Sequence, residues 1–373
     1  MVYRVPYNYL PEQFKDAETF FELWRPILSS GEFTLGPFVE EFERNFAEYM
    51  GAKYCVATNN GTDALILSLK SLGIKEGDEV ITPCNSFYAT TGSIVAVGAK
   101  PVFADVDERY QININQIEKL ISNRTKAILP VHWAGASPDM CKLVEIARAY
   151  NLLVVEDACM AIGGKWNNSN PGTYADVSAF SMHPLKTLNV AGDGGMITTN
   201  NKKTYEWLIK YRNHGMTNRD RIEFWGVNAR LQPLQAAVAN HFLKSVDEYI
   251  KVRNSNALYL DSLLSDLEDK ITLPPRIIEN LETFSLYMIL AKNRDNLLNY
   301  LQNNGVDVKI HYPVPLHLQP AAVKLGLNSG RLATAENQAK QLLTIPVHQY
   351  LNHTHMDIIS ELIHDFYKNT SAV

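Results

Sequence analysis

The sequence predicts an α/β protein. A large domain with a mostly parallel, mixed sheet covered by helices on both faces precedes a smaller α+β domain. Three observations carry this reading. From Tyr54 onward, short apolar runs alternate with helical stretches, the pattern of strands joined by crossover helices. After about Asn254 the order becomes helix, strand, helix and strand. The 373 residues suffice for a sizeable core and two domains, expected over 1–245 and 246–373.

Residues 1–50 mix short helical patterns with turns. Ser29-Ser30-Gly31 breaks one helix, and Gly36-Pro37 opens the next, where Phe38, Phe42, Phe46 and Met50 recur at helical spacing. Residues 54–58 read as a strand, and the polar turn 59–63 caps a helix over 64–72. Then come a strand at 79–83, a helix at 89–97, strands at 101–106 and 126–131, a helix at 143–150 and a strand at 152–157 that ends in acid. Strands at 177–180 and 196–199 precede a polar, charged region through Asp220. Residues 234–253 read as one long helix leading out of the first domain, 283–291 as a strand and 356–367 as the closing helix.

Composition narrows the function classes. At 46% hydrophobic and 20% charged residues the chain reads as an ordinary soluble protein, and its formal net charge of −5 gives no basic footprint for nucleic acid. Cys55, Cys84, Cys141 and Cys159 form no C-x-x-C pair and read as reduced thiols of a cytoplasmic protein. No signal peptide and no membrane-spanning run is expected.

The chemistry centres on Lys186, in Ser181-Met182-His183-Pro184-Leu185-Lys186, with Gly192-Asp193-Gly194-Gly195 close behind. A lysine held away from water loses its preference for the charged state, and its neutral amine can attack a carbonyl. Pyridoxal phosphate (PLP) is the cofactor most associated with such a lysine, and it needs an acid partner for its ring nitrogen. A solvated surface lysine is the plain alternative. Asp157 ends an apolar strand, so its carboxylate needs a partner that a pyridinium N–H could be; a helix-capping role is the alternative. Gly61-Thr62 opens a helix directly after a strand, where backbone N–H groups and the helix dipole favour an anion, or it is an ordinary cap; Ser181 could add a donor. Phe87 lies just past a strand end, where an aromatic can stack on a flat ring or plug the core. Asn228 and Arg230, at alternate positions before a helix, could hold a phosphate and a carboxylate or be surface residues. Between His311 and Pro320, three prolines fix a segment presenting Tyr312 and His317; no acidic or cysteine residue completes a metal set, so no metal is expected.

Together these motifs resemble the DegT/DnrJ/EryC1/StrS family of PLP-dependent sugar aminotransferases. The resemblance begins at Gly36-Pro37-Phe38-Val39-Glu40-Glu41-Phe42-Glu43. It runs through Asn60-Gly61-Thr62-Asp63-Ala64-Leu65, Gly77 to Pro83, Pro101 to Val106 and Glu156-Asp157-Ala158. It continues through Ser181-x-His183-Pro184-x-Lys186, Gly192-Asp193-Gly194-Gly195 and Asn228-x-Arg230, and ends at Tyr312-Pro313-Val314-Pro315-Leu316-His317. It implies the type I aminotransferase fold and a homodimer with shared active sites. By position it implies Lys186 as the Schiff-base lysine, Asp157 as the ring-nitrogen partner and Phe87 as the stacking ring. Gly61, Thr62 and Ser181 would bind the phosphate, with Asn228 reaching it from the other subunit. Arg230, His317 and Tyr312 match positions that bind substrate. The implied reaction carries an amino group from L-glutamate or glutamine to a keto sugar, 3-keto or 4-keto-6-deoxy and nucleotide-linked, by way of the pyridoxamine form. Its products serve amino-sugar and polysaccharide biosynthesis, lipopolysaccharide O-antigen included.

One departure stands out: the family often has glutamine three residues after the aspartate, and here Met160 cannot make that hydrogen bond. Two other readings compete. A sugar dehydratase of the same fold carries histidine in place of the lysine, which Lys186 opposes. A regulatory protein is the second, opposed by the negative charge and the lack of a basic helix-turn-helix segment.

Overall fold

Among the residues described in the computed structural model, 3–328 and 330–370, seven short strands form the main sheet. They are β1 (Tyr54–Thr58), β2 (Glu79–Pro83), β3 (Lys100–Ala104), β4 (Thr125–Ile128), β5 (Leu153–Asp157), β6 (Val177–Ser181) and β7 (Gly195–Thr199), in spatial order β1-β7-β6-β5-β4-β2-β3. Only β7 runs against its neighbours. The cause lies in the connection: residues 183–194, between β6 and β7, contain no helix to carry the chain back over the sheet, so the strand returns reversed. β4 stops at Ile128, short of the expected 131, because Pro130 has no N–H for a ladder.

Helices cover both faces. α1 (Leu10–Gln13) and α2 (Ala17–Ser30) come first, and Gly31, at φ 71°, ends α2 in the left-handed region as the Ser-Ser-Gly break predicted. α3 (Pro37–Met50) starts with proline in its first turn and buries Phe42, Phe46 and Met50 against Phe180 and Met196 of the sheet. α4 (Gly61–Ser71) and α5 (Tyr88–Ala96) cover the opposite face, with Leu65, Leu67 and Ile94 packed beside Val56, Val155 and Ile197. α6 (Ile114–Leu120) and α7 (Met140–Ala149) flank the far strands. The polar region after β7 holds α8 (Lys202–Tyr211), capped by the Asn201 side chain, and the hairpin β8 (Met216–Asn218)–β9 (Arg221–Ile222); neither was expected there. Buried Arg212 pairs with Glu43 and donates to the Ala57 carbonyl at 2.6 Å, tying the end of α8 to α3 and β1.

The long helix expected over 234–253 is two helices, α9 (Pro233–Leu243) and α10 (Val246–Leu263), broken at Lys244-Ser245. α9 lies in the same core as α3, whereas α10 carries Ala257 and Leu260 into a second core, so one straight helix could not serve both. That second core sits on a small antiparallel sheet of β10 (Ile271–Thr272), β11 (Tyr287–Ala291) and β12 (Leu342–Ile345), packed by α11 (Arg294–Asn303) and α14 (His353–Thr370). α12 (Pro320–Lys324) and α13 (Ala333–Gln341) lie between α11 and β12 in the chain. β11 begins at Tyr287 rather than 283, because Thr283 and Leu286 donate their N–H groups to Gly135 and Ala134 of the large domain. Val5 is also buried in the second core, paired with Val306, so this part of the chain belongs to the small domain before it crosses to the large one.

Candidate active site

β1, β2, β4, β5 and β6 point the same way, so their carboxyl ends and the loops after them gather at one edge of the sheet. Asp157, the last residue of β5, is 5% exposed. Its carboxylate accepts from the Thr90 hydroxyl at 2.7 Å and from the Cys159 N–H at 3.3 Å. Thr90 spends its one proton on Asp157, so the Ser86 hydroxyl, 2.6 Å away, donates to Thr90. Neighbouring Glu156 faces the other side of the sheet. It is fully buried and accepts from His132 Nε2 at 2.8 Å, from the Gly172, Tyr174 and Ala175 N–H groups, and from Ser178 Oγ. Burial pushes its pKa up, but the His132 and backbone hydrogen bonds outweigh that and leave it below the usual carboxylate range.

Lys186 stands in the irregular 183–194 loop next to β5. It is partly exposed, yet the dense protein around it disfavours the ammonium and drives its pKa down, opposed in part by Cys159 and Asp157. Its backbone is held at both ends: its N–H donates to the His183 carbonyl at 2.8 Å, and its carbonyl accepts from the Tyr9 hydroxyl at 2.9 Å. The glycines that follow close the loop. Met182 N–H donates to the Gly194 carbonyl at 2.7 Å, and a Cβ on Gly195 would collide with the Asn60 carbonyl.

Beside the lysine lies a cradle for an anion. α4 starts at Gly61, and the Asn60 side chain caps it by accepting from Asp63 N–H at 2.7 Å. The first N–H groups of a helix lack intrahelical partners and favour negative charge. A Cβ on Gly61 would lie 2.7 Å from the Ser181 Cβ, 3.1 Å from its Oγ and 3.2 Å from the Cys159 sulfur, so only glycine brings this helix start so near Ser181. Exposed Thr62 follows it.

Phe87, 47% exposed, forms an aromatic wall with Tyr88 and Tyr312, whose ring centres lie 5.3–6.3 Å apart. Trp133 backs Tyr312 at 5.9 Å. Burial and the nearby Tyr88 push the Tyr312 phenol up to about 12. His311, beside it, falls to about 4 through burial and the charges of Lys186 and Lys309.

Asn228, Arg230 and His317 have other partners. Exposed Asn228 accepts from Arg230 Nε at 3.0 Å, and Arg230 also donates to Asn213 at 2.9 Å. They follow the β8–β9 hairpin and Trp225, whose indole is 85% exposed. His317 is only 1% exposed; its Nε2 contacts Glu336 at 3.2 Å and its ring lies near Phe103. Sequence reasoning missed Thr90, Ser86 and Tyr9. Thr90 lies one helical turn after Phe87, which is a local signal, but Tyr9 is 177 residues from its partner. Met160 packs its side chain on the first core, and its carbonyl accepts from the Thr283 and Ser285 hydroxyls, both at 2.6 Å. Among the described residues no group of three His, Cys, Asp or Glu side chains could hold a metal ion, and no helix is long and apolar enough to cross a membrane.

Residues 15–364 match the model of the DegT/DnrJ/EryC1/StrS aminotransferase family. A pleiotropic regulatory protein of Geobacillus stearothermophilus is 35% identical over 370 residues, covering 98% of this chain and 99% of the relative. A dTDP-3-amino-3,4,6-trideoxy-alpha-D-glucose transaminase of Micromonospora megalomicea is 34% identical, covering 96% of this chain and 97% of the relative. The crystal structure of S. venezuelae DesV in complex with a ketimine intermediate superposes with a TM-score of 0.94 at 34% identity, covering 97% of this chain and 98% of that one.

Proposed function

This chain belongs to the DegT/DnrJ/EryC1/StrS aminotransferase family, and we propose that it moves an amino group from L-glutamate to a nucleotide-linked keto sugar. It is a sugar aminotransferase that depends on pyridoxal phosphate. The observation that carries the site assignment is that a buried carboxylate ends β5 and an enclosed lysine lies in the loop after its neighbour β6, beside a glycine-floored helix start. These residues fit the cofactor: the cradle at Gly61 takes a phosphate by backbone N–H groups and by Ser181, with Thr62 at its rim. Asp157 would face the ring nitrogen, held in place by Thr90 and Ser86. Phe87 would lie on the ring face. When bound, PLP supplies an electron sink for negative charge at the donor's α-carbon.

The chain's own work is proton handling and orientation. Lys186 Nζ takes the proton from that carbon, and its enclosure favours the neutral amine that can accept it. Tyr312 and Phe87 wall the cleft against water. Arg230 and His317 stand as substrate residues by position alone, His317 from a buried place. The acceptor is a 3-keto or 4-keto hexose.

The working unit in this reading is a homodimer in which Asn228 and Arg230 complete the partner's site. The exposure of Asn228 and of nearby Trp225 and Val227 supports it. The division between domains falls at the break near residue 245, with residues 3–6 joining the small domain. The four free cysteines support a reducing, cytoplasmic setting.

The test is to add PLP to the purified protein, reduce it with borohydride and map the modified peptide, alongside Lys186→Ala. Transfer from L-glutamate is then assayed against nucleotide-linked 3-keto and 4-keto sugars. A yellow band trapped on Lys186, with transfer to at least one sugar, supports the reading. A colourless protein that retards DNA in a gel would sink it.

A further inference from the structure

We propose that Tyr9 is a positioning residue for Lys186, and that the N-terminal segment carrying it ties the lysine's loop to the small domain. Lys186 sits in a stretch of chain without regular structure, where its direction depends on what holds its backbone. The Tyr9 hydroxyl donates to the Lys186 carbonyl at 2.9 Å from a ring that is 4% exposed. A second tie from the same segment lies three residues on: Asn189 Nδ2 donates to Gln13 Oε1 at 3.0 Å, both residues buried.

The other face of Tyr9 belongs to the small domain. Arg253 of α10 lies over its ring at 5.4 Å, and His348 and Tyr350, just after β12, pack on it at 5.0 and 6.0 Å. Arg253 is itself fixed by Gln349 and by the Phe284 carbonyl, each at 2.9 Å. Upstream, the Pro6 carbonyl accepts from His348 Nε2 at 2.9 Å, and the Val5 and Arg4 N–H groups donate to Gly305. The segment is therefore anchored in the small domain at 4–6, gripped there at Tyr9, and bonded to the large domain's lysine loop by the same tyrosine. A shift of the small domain reaches the Lys186 carbonyl through this phenol, while Gln13–Asn189 and the Thr187–Ser285 hydroxyl pair, 3.2 Å apart, hold the neighbouring residues of the loop. Loss of that bond frees the loop toward the cleft, rehydrates the amine and moves its pKa back up toward the ordinary lysine value.

The inference rests on Lys186 being the cofactor lysine, and the test separates the two. Tyr9→Phe keeps the ring and removes its hydroxyl, and with it the bond to Lys186; Tyr350→Phe removes a hydroxyl that faces Tyr249 in the same aromatic cluster, keeps the ring packed on Tyr9 and does not touch Lys186. Two quantities are read: the pH midpoint for acylation of Lys186 in cofactor-free protein, followed by peptide mass spectrometry, and kcat against KM after adding PLP. Tyr9→Phe should raise the midpoint by about half a unit or more and lower kcat about tenfold with KM changed less than about twofold, while Tyr350→Phe does neither. A Tyr9→Phe midpoint and kcat equal to wild type, or equal shifts in Tyr350→Phe, overturn the proposal. If Tyr9→Phe does not fold, Asn189→Ser must move the midpoint in the same direction, and no movement overturns it. Should Lys186→Ala retain the PLP absorbance band, the site assignment fails instead; should it lose the band while Tyr9→Phe stays at wild type, only the role of Tyr9 fails.

Discussion

Gly61→Ala probes the cradle directly. Gly61 does not need the left-handed region, so an alanine there meets only a steric obstacle. Its Cβ would lie 2.7 Å from the Ser181 Cβ, where carbon atoms prefer roughly 3.5–4.0 Å. The shortfall is about 1 Å. Ser181 cannot retreat, since it is buried in β6 and paired with Gly195 of β7. The first turn of α4 must tilt outward instead, taking its N–H groups away from the position proposed for the phosphate. Overpacking of this kind costs about 1–3 kcal/mol. At about 1.4 kcal/mol per tenfold, PLP should bind roughly 5- to 150-fold more weakly. Titration of cofactor-free protein with PLP, followed by absorbance, measures this. Gly92→Ala is the control: Gly92 is exposed in α5 with open space where its Cβ would go, so that change should stabilise by about 0.5–1 kcal/mol and leave PLP affinity alone. A Gly61→Ala protein that binds PLP within about threefold of wild type would refute the cradle, because a displaced helix start must weaken its phosphate contacts.

Three further outcomes are expected. Thr90→Val removes a hydrogen bond to the buried Asp157 carboxylate, worth about 1.5–3 kcal/mol, so kcat/KM should fall roughly 10- to 150-fold while Thr90→Ser stays near wild type; full activity in the valine variant would contradict the role given to Thr90. Glu156→Gln turns an oxygen that accepts into an amide that faces N–H donors, and the loss of one buried pairing and of charge assistance costs about 3 kcal/mol. For a chain of 373 residues that lowers Tm by about 4 °C, and an unchanged melting curve would count against the network. His348 is held neutral, its pKa lowered to about 3 by burial, with Arg253 adding to the effect. The unfolded chain takes up this proton below about pH 6.5 and the folded chain does not until about 3, so the stability is complete above 6.5 and is lost as pH falls. At pH 5 the loss is on the order of 2 kcal/mol; urea unfolding of His348→Gln should show a shallower acid slope, and an identical slope would exclude His348 as its source.

Much of this architecture was legible from local pattern. β1 and β2 fall on their predicted residues, since short apolar runs bounded by polar turns carry their own signal. Asp157, Gly61 and Ser181 could be singled out because each stands at the end of a strand or start of a helix, where the fold class places ligands, and Lys186 because it follows in the loop after β6. What escaped depended on distant partners. The reversal of β7 follows from a missing crossover, and the break between α9 and α10 from two cores that periodicity cannot distinguish. The polar stretch after β7 hides α8 because its buried face is narrow, with only Thr204 and Leu208 fully inside. Tyr9 and Thr90 bond to Lys186 and Asp157, residues far away in the chain, and no spacing rule announces such bonds.

The bare indole of Trp225 has a practical use. Of the five tryptophans, Trp133 and Trp166 are sealed in the interior and Trp24 and Trp207 are half-covered, so Trp225 alone stands almost wholly in water. Its emission should sit to the red of the others and move to the blue if, as proposed above, a second copy covers the hairpin. A dilution series in a fluorimeter would therefore follow assembly without any dye, and Trp225→Phe would supply the blank.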